Sequence, residues 1–188
     1  MHINSKLKIW NELKSILDEN KMYYSLSRFS YQFINKKDFS FEKNFQICLW
    51  HKDFFELKKK FPALFLDNSI DKYQNTIPVF KFNNSKIIIN LIIGTGIENL
   101  KKANLLNLID EDFNIKNKRI NKWKYNAFIK RNNILSIVEL LNKLDYEFFV
   151  SIGENLESTF FSKNLLWGDI KKVSYKDIEF DIFNNYLK

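Results

Sequence analysis

The chain reads as a mixed α/β fold built on a mixed sheet, and three observations predict it. Leu7, Trp10, Leu13 and Leu17 recur at spacings of three and four; strand-like runs alternate with helix-like ones; and Ile87 to Ile93 is apolar on both faces apart from Asn90. The first pattern is that of an amphipathic helix, and the last is that of a strand buried in the middle of a sheet.

Taken in order, Lys6 to Glu19 is the predicted first helix, with Ile9 and Ile16 beside its stripe and Asn4 or Ser5 placed to cap it. Met22 to Ser27, rich in aromatic and β-favouring residues, is expected as a short strand, and Phe29 to Ile34 as one or two helical turns. Lys36 to Asn44 has the polarity of a loop, and Phe45 to Leu49 alternates as a second strand. From Lys52 to Phe61 the residues Phe54, Leu57 and Phe61 share one helical face before Pro62 stops the helix. Pro78 to Phe82 and Ile87 to Ile93 should pair as a hairpin turning at Asn83, Asn84 and Ser85. A helix from Ile97 to Leu108, a basic segment around Trp123, and a helix with Ile134, Ile137, Val138 and Leu141 on one face follow. A strand from Tyr146 to Val150 and a hairpin between Lys171 and Ile182 complete the reading. No repeat or low-complexity linker divides residues 1–188, which are expected to form one domain.

A chain of 188 residues is long enough to bury a core without covalent staples. Its one cysteine, Cys48, excludes an internal disulfide, and its two histidines, His2 and His51, cannot assemble a Cys/His zinc site. Met1 to Glu12 shows no long apolar run, and Ile87 to Ile93 falls far short of the roughly 20 residues a membrane-spanning helix needs. The expectation is therefore a cytoplasmic protein with no transmembrane segment. The net charge of +8 accompanies abundant Lys, Asn, Ile and Phe, a mixture that an AT-rich coding sequence produces without any partner, so charge alone says little beyond an affinity for phosphate-bearing ligands.

Three local patterns can be weighed against structural readings. Gly94, Thr95 and Gly96 follow a strand and precede a helix, but the third glycine of a dinucleotide fingerprint is Asn99, so a plain turn is the better reading. Lys116, Lys118, Arg119, Lys122, Lys124, Lys130 and Arg131 interleave with Trp123, Tyr125 and Phe128, a mixture suited to phosphates and bases. Tyr125 and Phe128 could equally face a core, however, and nucleic acid is not the expected partner. His51 opens a helix, where a solvated or capping role is favoured over membership of a catalytic triad.

The stretch from Ser27 to Leu57, SRFSYQFINKKDFSFEKNFQICLWHKDFFEL, resembles the signature region of the LicD family of phosphotransferases, relatives of fukutin. Asp53, Phe54 and Phe55 match the start of that family's helix, and Ile47 matches the last isoleucine of its acidic motif. Ile87 to Ile93 looks like the family's later central strand, and WGDIKKVSYKDIEFDIFNNYLK like its closing hairpin, with Phe183 standing where the family has a proline. The resemblance implies a nucleotidyltransferase-like core with flanking helices and a C-terminal hairpin. It also implies a CDP-linked small molecule or a glycan polymer as partner, and Mg²⁺ in active relatives.

Carried over residue by residue, the match implies loss. The three leading aspartates of the acidic motif become Glu42, Lys43 and Asn44, the last becomes Gln46, and the acidic position of the later strand becomes Asn90. Glu42 is the residual carboxylate. Ser27 and Arg28 replace the glycine and threonine that open the signature; with Lys36 and Lys37 they are the candidates for holding phosphate. An amide offers one neutral carbonyl oxygen where a carboxylate offers two anionic ones, so no bound metal or other cofactor is expected. The family reaction moves phosphocholine or a polyol phosphate from a CDP-linked donor, and this chain is expected to have lost it. The alternatives are a divergent active transferase using Glu42, Lys36 and Lys37, or a basic nucleic-acid-binding domain centred on Lys116 to Arg131.

Overall fold

The computed structural model describes residues 5–36, 45–69, 77–105, 115–153, 161–162 and 170–184. Helix α1 spans Ser5–Glu19 and buries Trp10, Leu13 and Leu17 of the expected stripe together with Ile9 beside it, while the Leu7 side chain lies outside the described ones. It ends because Lys21 adopts a left-handed conformation (φ 55°), which lets the Lys21 amide bond Asp18 O and the Met22 amide bond Leu17 O. Strand β1 (Tyr24–Leu26) follows, then α2 (Arg28–Asn35), β2 (Gln46–Trp50), α3 (His51–Lys60) and the two-residue strand β3 (Phe65–Leu66). The long hairpin is β4 (Val79–Phe82) and β5 (Ser85–Thr95). Helix α4 (Ile97–Lys102), α5 (Ile115–Arg131) and α6 (Ile134–Leu141) come next. The last strands are β6 (Phe148–Ile152), β7 (Phe161–Ser162) and the hairpin β8 (Ile170–Tyr175) and β9 (Ile178–Phe183).

The fold is mixed α/β, and its sheet is mixed in direction. Strand β2 runs parallel to β5, with Cys48 opposite Asn90, while β1, β4 and β6 pair antiparallel with their neighbours. Because β5 is eleven residues long, it takes two partners on one edge: β4 along Ser85 to Ile88 and β6 along Leu91 to Thr95. Its other edge belongs to β2. Pairing on both edges supplies partners for the backbone of β5, and in the gap between β4 and β6 the Ile89 amide donates to Pro78 O, which is why an apolar run can sit there.

Alternation assigns the two faces of the sheet. Tyr24, Ile47, Leu49, Ile89, Leu91 and Ile93 fall on one side, and all are buried. Helices α1 and α3 cover this side: Trp10 meets Tyr24 and Phe45 edge-on at 4.9 and 5.3 Å, and Phe54 reaches Phe80 through Phe65. The other side carries Ser25, Gln46, Cys48, Asn90 and Ser151, bordered by Trp50 and Phe149 with their rings 5.2 Å apart. The terminal hairpin docks on β1 through side chains, since the Asp181 amide donates to Tyr24 Oη and the Phe183 amide to Ser25 Oγ.

Two expectations change. The helix foreseen from Ile97 to Leu108 ends at Lys102, because Asn104 turns left-handed (φ 55°) and the amides of Asn104 and Leu105 close on Lys101 O and Leu100 O. Leu100 and Leu105, both buried, make that stop a packed one, while Leu106 to Leu108 lie outside the described residues. His51 is not solvated. It is buried, and its Nδ1 lies 3.1 Å from Ile92 O, pinning the first turn of α3 to the central strand.

The β4–β5 turn supplies a direct test. Asn83 and Asn84 both have positive φ (46° and 62°), as a two-residue turn between twisted antiparallel strands requires. Asn84→Val should lower unfolding free energy by about 1–2 kcal/mol, because a β-branched residue is strained there, whereas Asn84→Gly should not. Urea denaturation of both variants checks this; equal stability of the two would contradict the turn assignment.

Candidate functional site

The site is built by three segments that converge on the polar side of the sheet. Ser27 caps α2: its Oγ accepts from the Ser30 amide at 3.1 Å and donates to Ser30 Oγ. Ser30 Oγ in turn accepts from the Gln46 amide at 2.8 Å and donates to Gln46 O at 3.1 Å, and the Ser27 amide donates to the same carbonyl. The start of α2 therefore clamps the first residue of β2. That leaves the Gln46 side chain to point along the sheet toward β5.

There it meets Asn90, whose Nδ2 donates to Gln46 Oε1 at 3.2 Å. Both side chains are nearly sealed, with 2% and 4% of their surface exposed. Beyond Asn90 lies Gly153, just past the end of β6. A methyl group built on Gly153 would stand 1.4 Å from Asn90 Oδ1, so the Asn90 amide fills the space a side chain there would need. The Gly153 backbone is held by Tyr125 of α5: its hydroxyl donates to Gly153 O at 2.7 Å and accepts from Gly153 N at 3.1 Å. Tyr125 is fully enclosed, and burial pushes its phenol well above the ordinary range, so it stays neutral and can serve both roles.

Two carboxylates at the places of Gln46 and Asn90 would confront each other across a hydrogen-bond distance in a region closed to water. Such a pair ionises only with a cation or a shared proton between its members. The amides remove that requirement, since one donates to the other without any charge. The solution is incomplete: Asn90 Oδ1 is buried without a hydrogen-bond partner, an omission that costs about 1–3 kcal/mol.

Among the described residues no group of three or more His, Cys, Asp or Glu side chains could hold a metal ion. The residues at the positions that the resemblance assigns to Mg²⁺ ligands do not fit a divalent ion. Gln46 and Asn90 are neutral, and the carbonyl oxygen of Gln46 is already taken by Asn90. Asn44, Glu42 and Lys37 lie outside the described residues.

The phosphate candidates do not form one cluster. Ser27 is fully buried with its hydroxyl spent on the cap, while Arg28 and Lys36 are exposed at opposite ends of α2, about 12 Å apart along the axis. Sequence reasoning missed Ser30, Cys48, Tyr125, Ser151 and Gly153. Two signals were available: Cys48 stands two residues after Gln46 and so shares its face, and Ser27 and Ser30 have the spacing of a helix cap and its partner. Cys48 Sγ lies 4.0 Å from Ser151 Oγ across β5. Gly153 and Tyr125 carry no local signal, because their meeting is set by tertiary packing alone.

Comparison with protein-family models, with curated proteins and with solved structures finds no match to this chain. No helix among the described residues is long and apolar enough to cross a membrane.

Two outcomes test this site. Gly153→Ala should cost about 1–3 kcal/mol of stability, since the new methyl must displace an amide that is hydrogen-bonded on its far side. Part of that loss should return in Gly153→Ala/Asn90→Ala, so a double-mutant cycle read by thermal melting should show coupling, and strictly additive losses would contradict the contact. Burial also lowers the His51 pKa below its usual 6.5. Its neutral form is thus favoured in the folded state, and the unfolded chain takes up the proton first. Stability should decline as pH falls through about 6.5, and His51→Gln should flatten this part of the melting-temperature profile.

Proposed function

We propose that this protein is a LicD-like chain with a nucleotidyltransferase-type core that has given up phosphoryl transfer and acts as a binding or regulatory partner in the modification of a cell-surface glycan or teichoic-type polymer. The observation that carries the reading is the buried hydrogen bond between Gln46 and Asn90, two positions that the resemblance assigns to metal-binding carboxylates. Phosphoryl transfer needs a cation to bridge the donor phosphates and neutralise charge on the leaving group. Two amides bonded to each other present no negative charge for that cation to bind. The parallel pairing of β2 with β5, and the serine-capped helix clamped to the start of β2, also support a core of this type. The glycan pathway rests on the resemblance.

Purified protein incubated with CDP-choline or CDP-ribitol, Mg²⁺ or Mn²⁺ and a glycan acceptor should release no CMP above background. Metal-dependent CMP release by the wild type would overturn the loss of transfer. Ancestry has a separate test in Gln46→Glu/Asn90→Asp. This variant should melt below the wild type in the presence of chelator and recover with millimolar Mg²⁺ or Mn²⁺, because a ligand bound by the folded state alone stabilises it. The wild type should not respond. A double variant indifferent to both ions would remove the inference that these positions once held a metal.

A further inference from the structure

Helix α5 carries seven Lys and Arg residues and no Asp or Glu, and three of the seven, Lys124, Lys130 and Arg131, are among the described side chains. Tyr125 and Ile129 face the core, and Phe128 is half-buried. Trp123 does the opposite, with 70% of its surface in water. At about 100° per residue, Lys130 stands nearly in line with Trp123, and Lys124 and Arg131 stand together to one side, all three exposed. None of these cations has a carboxylate partner among the described residues. The lysines that do, such as Lys14 with Asp18, Lys101 with Glu98 and Lys172 with Glu179, lie on other elements.

We infer that this outer face of α5 binds single-stranded nucleic acid, with Trp123 stacking on a base and Lys124, Lys130 and Arg131 taking the flanking phosphates. Charge complementarity selects a polyanion, since the face is cationic and no carboxylate among the described residues neutralises it. The indole selects one with bases: a flat ring standing in water beside cations is the platform on which an unpaired base stacks, whereas a duplex keeps its base faces covered. The sequence reading weighs against this partner because Tyr125 and Phe128 could equally face the core. Those two do pack on the core, Phe128 in part, while Trp123 stands in water. The face points away from Tyr125 and hence from the Gln46–Asn90 pair, so the inference stands apart from the proposed loss of phosphoryl transfer.

The test is fluorescence anisotropy of a labelled oligo(dT) titrated with the full chain at low salt. Binding should weaken with salt at a logarithmic slope of about −2, as three phosphate contacts on a single strand give. Trp123→Ala should weaken oligo(dT) binding about tenfold while melting like the wild type, and Trp123→Phe should retain most of the affinity. Lys124→Glu/Lys130→Glu/Arg131→Glu should abolish binding. Inorganic polyphosphate, a polyanion without bases, should bind the wild type and Trp123→Ala equally. Absence of oligo(dT) binding at low salt would overturn the inference. So would a Trp123→Ala variant with unchanged affinity, or duplex DNA bound as tightly as the single strand.

Discussion

The parallel pairing of β2 with β5 is the constraint on which the remaining structure depends, because it sets Cys48 opposite Asn90 and brings Gln46 within reach of the central strand. A slip of one residue would exchange the two faces of β2. Ile47 and Leu49 would then leave the core under α1, and Gln46 and Cys48 would enter it. Such a register needs anchors at both ends, and the fold has them. Ser30 holds the start of β2 by bonding both backbone groups of Gln46, and His51 holds its far end by reaching Ile92 O.

Much of this architecture was legible in the residue pattern because it follows from periodicity. The stripe of α1, the alternation of β2 and the paired asparagines of the hairpin turn are local signals, and the elements form where those signals lie. The end of α4 was less legible. Apolar residues continue beyond Lys102, and only the left-handed geometry of Asn104 reveals that the helix has stopped. Strand β3 is two residues long, too short to carry a period.

The candidate site divides along the same line. Gln46 and Asn90 were singled out through the resemblance, and they hydrogen-bond across neighbouring strands that lie about forty residues apart in the chain. Ser27 was named too, but its hydroxyl serves the helix rather than a ligand. The meeting of Tyr125 with Gly153 was not legible, because neither residue type nor spacing says that a phenol will grip a glycine backbone beside a buried amide. What a helix does with an aromatic residue depends on which way it is turned, and for Tyr125 and Trp123 the answers are opposite.

The shared edge of β5 bears on the order in which the molecule assembles. Of the three strands that pair with β5, only β4 is close in sequence, joined to it by a two-residue turn; β2 and β6 must travel across about forty and sixty residues of chain. Closing such loops costs entropy before any contact repays it, so the β4–β5 hairpin is the natural nucleus. Until β6 arrives, Leu91 to Thr95 lacks its antiparallel partner, and the speed of that docking step governs how long the nascent chain offers a template to its neighbours.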